Sequence, residues 1–93
     1  MGIVVELPAA LWPYARGRSV DLADATCTTV AEAMAALASR HPGVVDRVLD
    51  ERGALRQHVN IFVDEENIRF ADGLETPLTT ESTIVVVPAV SGG

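Results

Sequence analysis

Apolar and polar positions alternate over residues 3–7. Ile3, Val5 and Leu7 fall on one side and Glu6 on the other, the period-two signature of a half-buried strand. Pro8 ends the run. Residues 9–17 carry Leu11, Trp12, Pro13 and Tyr14 and close on Gly17, which suits a turn. Alternation returns over residues 18–22, with Val20 and Leu22 facing inward. The two runs predict an N-terminal hairpin with a long connection.

The period then shifts from two to 3.6. Val30, Met34 and Leu37, with Ala33 and Ala38, share one face of a predicted helix. Thr29 is its N-cap, and Glu32 three residues later completes a capping box. Alanines favour the helix and let it lie close to a sheet. His41-Pro42-Gly43 stops it, because proline disfavours helical geometry at His41 and Gly43 permits a left-handed turn. Residues 44–49 have room for one or two further helical turns, with Val45, Val48 and Leu49 apolar, and residues 50–53 read as a turn.

Residues 58–64 predict a strand with Val59, Ile61 and Val63 on one face and Phe62 opposite, beside Asn60 and Asp64. Residues 68–70 suggest a short strand, Asp72-Gly73 a turn and residues 76–78 a brief helical turn. Residues 83–87 form the last strand and the most apolar segment, in which Ile84 to Val87 put apolar side chains on both faces. One face meets the helix. The other either lies under residues 9–17 or 44–49, or forms a contact patch with Phe62, Val87, Pro88 and Val90. The order predicts an α+β fold of the β-grasp type, a mixed sheet packed on one main helix. Residues 1–90 make the domain and residues 91–93 a flexible tail.

Composition narrows the function. The 93 residues carry 13 acidic and 7 basic side chains, a net charge of -6. Phosphate backbones call for clustered cations, so nucleic acid is excluded as a partner. Acidity instead favours encounter with basic protein surfaces, or serves solubility alone. Every basic residue is arginine, so the chain holds no lysine through which to polymerise itself. Cys27 is the single cysteine, which rules out an internal disulfide and reads as a small, partly buried apolar residue. His41 and His58 lack metal-ligand spacing. Asp64-Glu65-Glu66 is a dense acidic turn, either solvated or a dock for a basic patch, and Trp12 and Tyr14 either pack against the edge of the domain or bind a partner. No apolar run approaches the ~20 residues of a membrane span, and the first residues lack the charge and length of a signal peptide. A cytoplasmic protein is the expectation.

Besides the two-faced apolar run, the end of the chain carries a second feature a plain domain does not need. Val90-Ser91-Gly92-Gly93 follows a strand directly, and five residues from Ala89 extend roughly 17 Å at ~3.3–3.6 Å each. Two glycines without Cβ atoms let a narrow channel close around the backbone, leaving the α-carboxylate of Gly93 as the reactive group. A carboxylate needs activation before sulfur can be attached. Adenylation by ATP supplies a leaving group, and displacement by sulfide leaves a thiocarboxylate. The chain has no phosphate-binding loop, so another protein performs that activation. This chain is then a co-substrate and not an enzyme, with no bound cofactor.

The ending from Val87 to Gly93 after an apolar strand resembles the MoaD/ThiS family of ubiquitin-like sulfur carriers. LPAALWPYARG, TVAEAMAALASRHPG, HVNIFVDEENIRF and DGLETPL match in the same order and span nearly the whole chain. The resemblance implies adenylation of the Gly93 carboxylate by an E1-like enzyme and its conversion to a thiocarboxylate, with Ser91, Gly92 and Gly93 entering the partner. The pattern around residues 40–58 is closest to the CysO type. For that branch the resemblance implies sulfur donation to a cysteine synthase dependent on pyridoxal phosphate (PLP), with a JAMM-type metalloprotease releasing cysteine. Donation to molybdopterin, thiamin or secondary metabolites, protein modification through an isopeptide bond, and a plain binding module stand as alternatives. The sequence departs from the family at two turns. Asp64-Glu65-Glu66 stands for a common Asn-Gly and Thr80-Glu81-Ser82 for Asp-Gly-Asp.

Overall fold

The computed structural model describes residues 2–22 and 26–88. Five strands form one mixed sheet: β1 (Val4–Glu6), β2 (Ser19–Asp21), β3 (Val59–Val63), β4 (Glu66–Asn67) and β5 (Thr83–Pro88), in the order β2-β1-β5-β3-β4. β1 and β5 run parallel, and the other neighbours are antiparallel. Three helices accompany them: α1 (Trp12–Ala15), α2 (Val30–Arg40) and α3 (Pro42–Val48).

The core follows the alternation in the sequence. Val5, Leu22, Ile61 and Ile84 on the inner face of the sheet are wholly buried against Val30, Ala33 and Leu37 of α2 and Val44 and Val48 of α3. Every buried side-chain nitrogen and oxygen among the described residues has a hydrogen-bond partner, as a core this small requires. The long N-terminal connection is pinned by Trp12, whose Nε1–H donates to the Leu7 carbonyl at 2.7 Å. The Arg18 guanidinium lies 4.8 Å over the Trp12 ring, and Arg16, not Gly17, takes the left-handed position that closes α1.

The start of α2 is a capping box with one arm displaced. The Thr29 hydroxyl accepts from the Glu32 amide at 3.3 Å, but the Glu32 carboxylate reaches past Thr29 to the Thr28 amide (2.6 Å) and hydroxyl (2.8 Å). Those two donors, the amide first, hold the Glu32 carboxyl below its usual range. Folding thus depresses this pKa, so the stabilisation is complete above the unfolded value and is lost as pH falls through the lower folded one. Glu32→Gln is expected to flatten the stability profile below about pH 4, measured by urea unfolding across a pH series.

Three local expectations are corrected. Gly43 makes no left-handed turn. It lies inside α3, which starts at Pro42 in its first position, with the non-helical residue at His41. A Cβ on Gly43 would sit 3.3 Å from Cδ1 of Tyr14, so the missing side chain lets α3 approach α1. Residues 68–70 form a 3-10 turn, not a strand. The β3–β4 hairpin is so tight, with Val63 opposite Glu66, that pairing is spent by Asn67, whose side chain then accepts from the Arg69 amide at 2.9 Å. Residues 76–78 are extended: Pro77 bridges Thr29, while Val30 and Leu78 amides bond the Thr76 and Thr28 carbonyls. The helical turn falls earlier, at Gly73–Glu75.

Both turns that depart from the family are closed by side chains. Asp64 leaves the face of Phe62 for the hairpin turn, where its carboxylate accepts from the Thr83 amide at 2.9 Å. In the other turn, Ser82, 1% exposed, accepts from the Thr79 amide at 2.9 Å. Asp64 and Glu65 have φ of 49° and 78°, the paired left-handed geometry of a two-residue hairpin turn. Asp64 is held there by its bond to β5, whereas no side-chain hydrogen bond or ion pair among the described residues offsets the strain at Glu65. Glu65→Gly is expected to raise stability by about 0.5–1 kcal/mol, read as a higher urea midpoint at unchanged slope.

Candidate functional site

The strand that leads to the chain end is central. β5 lies between β1 and β3, and its last pair sets Pro88 opposite Val59. Val90, Ser91, Gly92 and Gly93 lie outside the described residues, and Pro88 is the last described residue before them.

The sheet separates the residues expected to make a contact patch. Phe62 pairs with Val85 of β5 on one side and Asn67 of β4 on the other, and Val87 pairs with Asn60. Phe62, Val85 and Val87 are half-buried on the outer face, which neither residues 9–17 nor α3 covers. Those segments pack on the opposite side. There, Pro88 and Val86 line a groove of about 160 Å³ with Pro8, Leu11, Val59 and the side chains of Arg47 and His58. The root of the tail is thus flanked by an apolar strip on the outer face and a cation-rimmed groove on the inner one.

The Arg47 guanidinium lies 3.7 Å over the Tyr14 ring and donates to the Gly43 carbonyl. Arg56 is fixed likewise by the Asp46 carbonyl. Carbonyls and a ring hold these cations without neutralising them. The one ion pair among the described residues is Arg52–Asp50, at 3.9 Å.

Among the described residues, no side chain is set up as a reactive centre. Burial, followed by the nearby Glu32 carboxylate, pushes the Cys27 thiol up, away from the thiolate a nucleophile needs. No group of three His, Cys, Asp or Glu side chains is placed to hold a metal ion among the described residues. No helix among them is long and apolar enough to cross a membrane.

Sequence reasoning missed one exposed group. Phe70 is 85% exposed, although a strand over residues 68–70 would have set it on the same face as Ile68. The 3-10 turn rotates it away from Ile68, which is wholly buried.

This sheet, wrapped on α2 with a parallel pair of first and last strands, defines a ubiquitin-like β-grasp protein. The solved structures that resemble it agree. CysO in the Amycolatopsis orientalis BexX/CysO complex superposes with a TM-score of 0.86 at 33% identity, covering 99% of this chain and 100% of that one. Small archaeal modifier protein 1 of Haloferax volcanii gives 0.80 at 29% identity over 98% of each. The chain belongs to the ThiS family, whose model matches residues 5–93. The sulfur carrier protein CysO of Mycobacterium tuberculosis is 30% identical over the full length of both chains. A putative sulfur carrier of Archaeoglobus fulgidus is 34% identical, again over all of both. The family comprises small sulfur carriers and ubiquitin-like modifiers that partner enzymes act upon.

Proposed function

We propose that this chain is a sulfur carrier whose Gly93 carboxylate is adenylated by an E1-like enzyme and converted to a thiocarboxylate for cysteine biosynthesis. The supporting observation is the full-length match to CysO carriers together with a family match that runs to Gly93 itself. In the first step a carboxylate oxygen attacks the α-phosphate of ATP and pyrophosphate leaves. In the second, hydrosulfide attacks the acyl carbon, AMP leaves, and a proton is released to give –C(=O)S⁻. The thiocarboxylate sulfur then bonds to the electrophilic β-carbon of an amino-acid acceptor on a PLP-dependent cysteine synthase, giving a thioester. The acyl group passes from sulfur to the amino nitrogen, and a JAMM-type metalloprotease hydrolyses that amide with water, freeing cysteine and restoring the Gly93 carboxylate. This chain supplies the body that partners grip and a tip slim enough to enter them.

The test is intact-mass spectrometry of protein purified from its native host with sulfur supplied. A gain of about 16 Da, oxygen replaced by sulfur, on the peptide ending Ser91-Gly92-Gly93 supports the reading. An unmodified terminus in the presence of the activating enzyme, ATP and sulfide overturns it. The likeness to small archaeal modifier protein 1 favours a second reading, in which Gly93 forms an isopeptide bond with a lysine of another protein. Higher-mass conjugates stable to reducing agent are its signature.

A further inference from the structure

Phe70 is used neither by the core nor by the tail chemistry. The other large apolar side chain exposed among the described residues is Tyr14, at 43%, and its ring is occupied by Arg47. A phenyl group left in water forgoes the favourable free energy of burial. Its backbone, by contrast, is tightly held. Ile68 is fully buried two residues before, and the Ala71 amide closes the turn on the Ile68 carbonyl. The Arg69 guanidinium donates to Asn60 Oδ1 and to the carbonyls of Arg56, Gln57 and Val59. An aromatic group presented this rigidly loses little entropy on binding.

The location is equally informative. β4 runs antiparallel to β3, so the chain returns along β3 toward its start, where Arg69 grips residues 56–59. Val59 pairs with Pro88 at the root of the tail. Two strand spacings of about 4.8 Å separate β4 from β5, whereas a standard interface covers about 800 Å² per partner. An interface of that size, centred on the root of the tail, is wide enough to extend over β3 to the edge of the sheet that carries the Phe70 turn.

Charge selects the kind of partner. From residue 57 onward the chain carries six carboxylates and a single arginine, Arg69. Glu65, Glu66, Asp72 and Glu75, all within five residues of Phe70 along the chain, are exposed, and Arg69 is committed to the sheet. A second copy meeting this edge would set like charges together, whereas an apolar pocket rimmed by Arg or Lys would complement it.

We propose that Phe70 anchors this chain in a basic-rimmed apolar pocket on its adenylating enzyme, gripping the body while the tail enters the active site. The proposal rests on the carrier reading above. The test follows ATP-dependent pyrophosphate release by the host's adenylating enzyme against carrier concentration. Phe70→Ala should raise KM about tenfold at unchanged kcat and unchanged melting temperature, and Phe70→Trp should recover most of the loss. Glu66→Gln with Glu75→Gln should raise KM and blunt its salt dependence. Equal KM for wild type and Phe70→Ala overturns the anchor and leaves the carrier reading standing. No release with wild type overturns both. A wild-type dimer in sedimentation that Phe70→Ala dissolves assigns the residue to self-association and equally overturns the proposal.

Discussion

Removing Gly92 and Gly93 is expected to abolish thiocarboxylate formation while leaving the unfolding curve unchanged. The two outcomes separate because different parts of the chain carry them. Among the described residues the last deeply buried one is Val86 and the last ladder pair is Pro88 with Val59, so every described core and sheet contact lies before the deleted pair. The shortened chain still ends in a carboxylate, but on Ser91, whose Cβ a channel shaped for glycine excludes. A milder variant is more telling. Appending one alanine after Gly93 keeps the carboxylate and every native residue, yet moves the reactive carbon by about 3.5 Å. Misplacement of even 1 Å can cost about 10²-fold in rate, so adenylation should fall by at least that factor. Pyrophosphate release and intact mass check both variants, and full activity of the extended chain would show that the terminus is not the reacting group.

The largest effect on stability is expected from Ile84→Ala. Ile84 is wholly buried in the central strand and pairs with Val5 on one side and Val63 on the other. Truncation removes buried methylene and methyl groups and leaves a void that strands paired on both sides cannot close, a loss of about 3–4 kcal/mol. A domain of this size has about 5–14 kcal/mol in total, so the variant forfeits a large part of it. The neighbouring Val85 is half-buried on the outer face, and Val85→Ala should cost only about 1 kcal/mol or less. Urea unfolding of the two variants checks the contrast. Similar losses would mean that the outer face is packed as tightly as the inner one.

That contrast shows which parts of the structure are legible in the residues. Ile3, Val5 and Leu7, the α2 face of Val30, Met34 and Leu37, and the two-faced run ending at Val87 declare themselves, because burial on one side imposes a period that a reader can count. The segments misread are those in which side chains, not burial, decide the backbone. Ile68 and Phe70 have the spacing of a strand, but the Asn67 side chain bonds the Arg69 amide and turns the backbone instead. Residues 76–78 resemble a helical start, but their amides and carbonyls are claimed by the beginning of α2. Gly43 reads as a stop until Tyr14 lies against it. The tail offers its reading locally, in Gly92 and Gly93 themselves, and that reading stands as the proposal above. Phe70 offers none, since its exposure results from a turn only the folded chain makes.

The parallel pairing of β1 with β5 also has a mechanical consequence. The chain enters the sheet at the start of β1 and leaves it at the end of β5, so the two exits lie at opposite ends of one ladder. Tension between them pulls the strands along their own axes. All the hydrogen bonds of that ladder then share the strain and rupture together, whereas a hairpin pulled from its open end unzips one bond at a time. Force applied between the start of β1 and the end of β5 therefore meets the domain in the direction in which it yields last.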